Sequence, residues 1–185
     1  MATILVPLAT GFEEIEAVSL IDVLRRAGIK VIVAALNERL QVQGANGIML
    51  VADRVIDGIT VDDIDMILLP GGWGGTDVLS IDSYVQNLLK KMNEKGKDIS
   101  AICAAPFALY KAGVLPQNFT CYPSVEEKIR VDGYSSESTV VEDGNVITSR
   151  GPGTSICLGL YIVKKYVGDE MYQGLKDGLL ANYCK

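Results

Sequence analysis

An alternation along the chain does most to limit what it can fold into. Short runs of β-branched and apolar residues are followed repeatedly by amphipathic stretches of roughly ten to fifteen residues. ATILVPL, IKVIVAAL, DMILLP and DISAIC are such runs, short and apolar enough to predict strands buried on both faces. Residues 13–27 carry Leu20, Val23 and Leu24 on one side and stop at Gly28, which predicts a helix. A second helix is expected to start from Asp82 as N-cap, with Val85, Leu88, Leu89 and Met92 on one face and Gly96 past its end. AAPFALYKAG, GPGTSICLGLYIVKKYVG and 169–180 predict three more. Strands separated by helices need crossover connections. The pattern therefore predicts an α/β fold, with a mostly parallel central sheet and helices on both faces. STVVEDGNVITS alternates around Asp143-Gly144 and predicts an antiparallel hairpin. GIMLVAD and RVI are weaker strand candidates. No repeat, linker or low-complexity stretch interrupts the series, so residues 1–185 are expected to form one domain.

Composition narrows the chemistry. Apolar residues are 49% of the chain and charged residues 22%, enough for a core and against disorder. With 17 Lys and Arg against 23 Asp and Glu, the net charge is −6, and binding to a nucleic-acid backbone is not expected. No apolar run reaches the roughly 20 residues of a membrane span. The first basic residue is Arg25, which does not fit the n-region of a secretory signal. Cys103, Cys121, Cys157 and Cys184 are few, scattered and without C-x-x-C spacing. No disulfide framework is expected of them, and a cytoplasmic, thiol-reducing setting fits. Histidine is absent. That excludes a Ser/His or Cys/His triad within the chain and removes the commonest ligand of catalytic zinc. No metal site is expected, and no cofactor. Chemistry must run on cysteine, carboxylates, hydroxyls and backbone dipoles.

In open α/β sheets ligands gather beyond the carboxyl ends of the strands. Gly71-Gly72, Cys103 and residues 151–154 all fall there. In SAICAAPFALY the cysteine sits where a strand becomes a helix, beside the small Ala104 and Ala105, with Pro106 where no N–H is needed. This is the character of a nucleophile elbow. A helix N-terminus would favour the thiolate; the alternative is a buried cysteine behaving as a small hydrophobe. Glu16 lies on the stripe Glu16, Leu20, Val23, Ala27, which otherwise faces the core. An acid there needs a partner or a proton, unless its tip reaches water at a boundary. Glu13 and Glu14 read as ordinary acidic residues of a first helical turn. PGGWGG lacks the lysine and spacing of a phosphate loop and reads equally as a plain turn. Residues 151–154 could bind an anion, or Thr154 or Ser155 could cap the following helix. Cys121, Cys157 and Cys184 read as structural.

Taken together, GFEEIEAV, DVLRRAGIKV, ILLPGG, AICAAP and TSRGPGTS, in this order over residues 11–155, resemble the DJ-1/PfpI superfamily and its DJ-1 (ThiJ-like) branch. The resemblance implies a flavodoxin-like sandwich, usually a homodimer. It implies Cys103 as the reactive elbow cysteine and Glu16 as a protonated, buried acid hydrogen-bonded to it. The N–H groups of Gly72 and Ala104 would serve an oxyanion or an oxidised sulfur, and Arg26 would stand at the dimer interface near the site. Protease-like members carry His where Ala104 stands, so protease activity is not expected. Human-type members carry His-Pro where this chain has Tyr122-Pro123; an imidazole shuttle is missing, and the Tyr122 hydroxyl is left as a donor. The activity implied is that of a glutathione-independent glyoxalase, converting methylglyoxal to lactate, with deglycase action on glycated protein or nucleotides as a related claim. The alternative is a redox sensor or chaperone working through oxidation of Cys103 to sulfinate. A flavin- or nucleotide-binding module comes third and lacks its phosphate loop.

Overall fold

In the computed structural model, which describes residues 1–129 and 132–184, the apolar runs are strands and the amphipathic stretches are helices. In chain order they are β1 (Thr3–Leu8), α1 (Glu14–Arg26), β2 (Lys30–Ala35), β3 (Gln41–Gln43), β4 (Met49–Val51), β5 (Arg54–Val55), β6 (Met66–Leu69) and α2 (Trp73–Ile81). There follow α3 (Ser83–Glu94), β7 (Asp98–Ile102), α4 (Pro106–Ala112), α5 (Glu126–Ile129), β8 (Val140–Asp143), β9 (Val146–Ser149), α6 (Ser155–Tyr166) and α7 (Asp169–Gly178). Seven strands form one sheet in the order β5-β2-β1-β6-β7-β9-β8. Its pairs are parallel except β8 with β9, the predicted hairpin.

Strand alternation divides the core into two layers. Ile4, Val6 and Leu8 of β1 pack with Leu20, Val23 and Leu24 of α1 and with Leu158 and Ile162 of α6. Leu5, from the same strand, joins Ile67 and Leu69 of β6 under Val85, Leu89 and Met92 of α3 and Leu109 of α4. The fold is thus the flavodoxin-like arrangement, a mostly parallel sheet between two helical layers. Asp82 caps α3 as expected, accepting the Val85 N–H at 2.9 Å. Among the described residues no helix is long and apolar enough to cross a membrane.

Three expectations are corrected. PGGWGG is not a plain turn: α2 begins at Trp73, and Gly74 and Gly75 let the helix lie against the backbone of Gly11 and Phe12. Glu14 is no ordinary first-turn acid. It is buried and accepts from Asn46 N at 2.7 Å, Asn46 Nδ2 at 3.0 Å and Ile48 N at 3.3 Å, tying the β3–β4 connection to the start of α1. Finally, Cys157 and Cys184 are joined in a disulfide, although 27 residues separate them. Packing of α7 on α6 brings them together, which no spacing rule in the sequence could show. The cysteine-based argument for a thiol-reducing setting loses its footing with that bond.

Candidate active site

Strand β7 delivers Cys103 at its carboxyl end, and there the backbone turns sharply. Cys103 has φ +63°, in the left-handed region. For a residue with a Cβ this costs ~1 kcal/mol or more. Both of its backbone groups are fixed: the N–H donates to Ser149 O at 3.0 Å, and the carbonyl accepts from Tyr122 N at 2.9 Å. Ala105 N–H returns to Ile102 O at 3.0 Å, and Pro106 opens α4. The flanking Ala104 and Ala105 are buried, and Cys103 itself is 9% exposed. The elbow predicted from sequence is formed.

Glu16 meets this elbow from the first turn of α1 and is completely buried. Its Oε2 accepts the Gly71 N–H at 2.7 Å. Its Oε1 has no partner in hydrogen-bonding geometry, and Cys103 is the polar side chain the carboxyl interacts with. Gly71 fills the crevice between acid and thiol. A Cβ there would lie 2.7 Å from both Cys103 Cβ and Glu16 Oε2, so glycine alone allows this approach. Gly72, at φ +84°, then starts α2, and a Cβ on it would fall 2.5 Å from Gly11 O.

Burial pushes Glu16 up from 4.5 to about 7, against the Gly71 N–H and Cys103, which favour the charged form; the charge of Glu13 adds to the rise. Burial also pushes the Cys103 thiol above its ordinary value, and a charged Glu16 pushes it further. The nearby amides of Gly72 and Ala104 pull it back only in part. Thiolate and carboxylate therefore avoid coexisting, and the pair titrates as a unit that keeps at least one proton. The expectation of a thiolate favoured by a helix end is corrected accordingly. The α4 helix is seven residues long and Cys103 precedes its cap by two, so burial outweighs the helix end. With Glu16 neutral, the crevice offers an acid proton and two amide donors around one sulfur.

Tyr122 is half exposed and lies beside a shallow cavity of 240 Å³ that it shares with Arg150, Gly151 and Thr154. Thr154 Oγ1 accepts the Gly151 N–H at 3.1 Å and lies 2.7 Å from Ser149 Oγ. Ser155 Oγ donates to Pro152 O at 2.9 Å. Both hydroxyls brace the 151–154 turn, and neither caps α6. Arg26 is not brought to Cys103 within this chain. It ends α1, pairs with Asp22 at 2.6 Å, and lies about 15 Å along the helix from Glu16. Cys121 is fully buried, its sulfur 4.0 Å from Glu126 Oε2; burial and Glu126 push that thiol up to about 12, which suits a structural role. Sequence reasoning missed Gly71 as the partner of Glu16. The paired glycines after a buried strand were the signal that could have found it.

Fold and site together define a class: flavodoxin-like α/β proteins with a strained cysteine elbow and a buried acid beside it. The DJ-1/PfpI family model matches residues 2–165, and the chain belongs to that family. It is 43% identical over 182 residues to Protein dj-1beta of Drosophila melanogaster, with 97% of each chain covered. The crystal structure of Drosophila DJ-1beta superposes with a TM-score of 0.93 at 41% identity, again over 97% of each chain. A Caenorhabditis elegans relative named glutathione-independent glyoxalase DJR-1.2 is 35% identical over 164 residues, covering 88% of this chain and 87% of the relative. The structure of oxidized Toxoplasma gondii DJ-1 superposes with a TM-score of 0.90 at 32% identity, covering 97% and 98% of the two chains.

Proposed function

We propose that this protein is a glutathione-independent glyoxalase that converts methylglyoxal to lactate, with Cys103 and Glu16 as its catalytic pair. The observation that carries the proposal is Glu16, sealed against Cys103 and raised to about 7, where an acid can both give and take a proton near neutral pH. The C. elegans relative named for this activity supports it. The sulfur of Cys103 attacks the aldehyde carbon as the thiol proton passes to the aldehyde oxygen, giving a hemithioacetal. Glu16, as carboxylate, takes the proton from that carbon and returns it to the neighbouring carbonyl carbon, while the hemithioacetal hydroxyl proton passes to the neighbouring oxygen, through an enediol. The result is a lactoyl thioester on Cys103. Water attacks the thioester, the amides of Gly72 and Ala104 hold the oxyanion, and lactate leaves as the thiol is restored. The Tyr122 hydroxyl contacts the substrate at the mouth of the site. A homodimer with Arg26 at its interface belongs to the same proposal. Ile15 and Val18 of α1 and Met49 and Val51 of β4 are exposed apolar side chains suited to such an interface.

A second reading draws on the same two amides. Lying beside the sulfur and favouring its charged form, they would equally hold the oxygens of a Cys103 sulfinate, and the structure of the T. gondii relative is of its oxidized form. The test is lactate formation from methylglyoxal without glutathione. Cys103→Ser is expected to be inactive, and Glu16→Gln to lose roughly 10²–10⁴-fold, the range of a general acid–base. Near-normal turnover in Glu16→Gln would remove the proton shuttle and put the redox reading in front.

A further inference from the structure

The last helix is held at its surface, by a Lys164–Asp169 pair at 3.0 Å and Lys164 over the Tyr172 ring, rather than by buried side chains. None of the ten residues of α7 is fully buried, and Tyr172, Leu175 and Leu179 pack only partly against the core that includes α6. Beyond it the chain passes Leu180, 79% exposed and at φ +54°, a left-handed conformation that a residue with a side chain resists. Only then do Ala181 and Cys184 become buried. The Cys157–Cys184 bond closes this strained return. The two cysteines are largely buried, but both line the wall of a cavity of 710 Å³ together with Ser138, Tyr161, Lys164 and Tyr172. That volume admits a small organic molecule. Lys164 and Lys165 stand on the same wall, paired to Asp169 at 3.0 Å and to Glu142 at 2.6 Å, so the lining is polar and charged beside the bond.

We propose that Cys157–Cys184 is a redox-active disulfide, reduced through this cavity by a small thiol of the glutathione type, and that reduction releases α7 from α6. A thiolate attacks one sulfur, the S–S bond breaks, a mixed disulfide forms and the other cysteine leaves as thiolate. A second small thiol attacks the mixed disulfide and departs with the first as their own disulfide. Two electrons and two protons pass from the two small thiols to the two cysteines. The site is separate from the Cys103–Glu16 pair but linked to it through the fold. Cys157 lies in the first turn of α6, three residues after Thr154, whose hydroxyl meets Ser149, and the Ser149 carbonyl holds the Cys103 N–H.

The test takes the folded, oxidised full chain through glutathione redox buffers. Thiols are counted by alkylation and mass spectrometry, and amide hydrogen exchange is followed along the chain. Cys157 and Cys184 are expected to become alkylated together while the sheet amides stay protected, and the amides of 169–178 to exchange at least about tenfold faster once the bond opens. Cys157→Ser and Cys184→Ser should each show the fast α7 exchange without any thiol. Cys103→Ser should respond to glutathione as the parent chain does, which keeps this result independent of the catalytic cysteine. Unchanged α7 protection after complete reduction overturns the proposal, as does a bond that resists glutathione until the sheet itself unfolds.

Discussion

Replacing Glu16 with Gln should make the protein more stable at neutral pH and change how stability depends on pH. The side chain keeps its size, its amide oxygen can still accept the Gly71 N–H, and its NH₂ can still donate toward Cys103. What disappears is the titration. Glu16 is fully buried, and burial raises it from 4.5 to about 7. Between those values the folded protein keeps a proton that an unfolded chain has lost, so stability must fall as pH rises. The contribution is complete below the unfolded value of 4.5 and gone above about 7. At ~1.36 kcal/mol per pH unit this amounts to about 3 kcal/mol. For a chain of this size that is on the order of 10 °C in Tm. Urea unfolding of both proteins from pH 4.5 to 8.5 measures it, because titrating groups other than the coupled Cys103 are common to both and cancel in the difference. A thiol that burial raises above 9.0 stays largely protonated over this range. The difference should grow in favour of Glu16→Gln up to about pH 7 and then level. Parallel stability curves would refute a raised Glu16, and with it the proton that the mechanism needs.

Brief iodoacetamide treatment of the folded, oxidised protein should label Cys103 first, at a rate rising with pH, since Cys121 is fully buried and Cys157 and Cys184 are bonded; mass spectrometry finding Cys121 ahead would contradict the elbow's accessibility. Gly71→Ala drives a Cβ to 2.7 Å from both catalytic side chains and should cost ~1–3 kcal/mol in stability. It should also abolish methylglyoxal turnover, and normal turnover would show that acid and thiol need no such contact. Burial opposes the charge on Glu14, but the Asn46 side chain and backbone amides including those of Asn46 and Ile48 outweigh it and hold the acid below 4.5. Its stabilisation is therefore present at neutral pH and lost as pH falls through that lowered value. Glu14→Ala should cost ~1–3 kcal/mol at pH 7, a cost that shrinks progressively as pH falls below 4.5, with urea midpoints along that descent as the check.

The parallel sheet is legible in the sequence because its strands are buried on both faces. β1 and β6 must be apolar at successive positions to satisfy two helical layers, and β7 departs from this only at Asp98 and the small, buried Ser100, so the runs are visible without any partner. Asp82 and the Asp143-Gly144 turn are legible for a different reason, since a cap and a hairpin turn are decided within a few residues. Elements whose reasons lie elsewhere in the chain are hidden. β3 spans three residues with only Val42 buried, and what fixes its connection to β4 is Glu14, more than thirty residues upstream. The glycines of α2 imitate a turn because their use, close approach to Gly11 and Phe12, depends on tertiary packing. The Cys157–Cys184 bond is hidden in the same way.

The site shows the same division within two residues. Glu16 is conspicuous as an acid on an apolar helical stripe, and Cys103 as a thiol among small residues at a strand-to-helix turn. Judged alone, the cysteine has the local pattern of a lowered thiol; in the fold, burial and Glu16 raise it. The sign changes because ionisation here belongs to the pair. One crevice, open to contact only because Gly71 has no side chain, desolvates both groups and makes them compete for charge. A thiol raised in this way is not disabled. When it attacks, its proton goes to the developing alkoxide, and the carboxyl beside it, poised at about 7, handles the carbon-bound proton that follows. An isolated low thiol would make a better thiolate but would have no base at the second step, so the burial that spoils the simple elbow argument is what equips the site for an isomerisation.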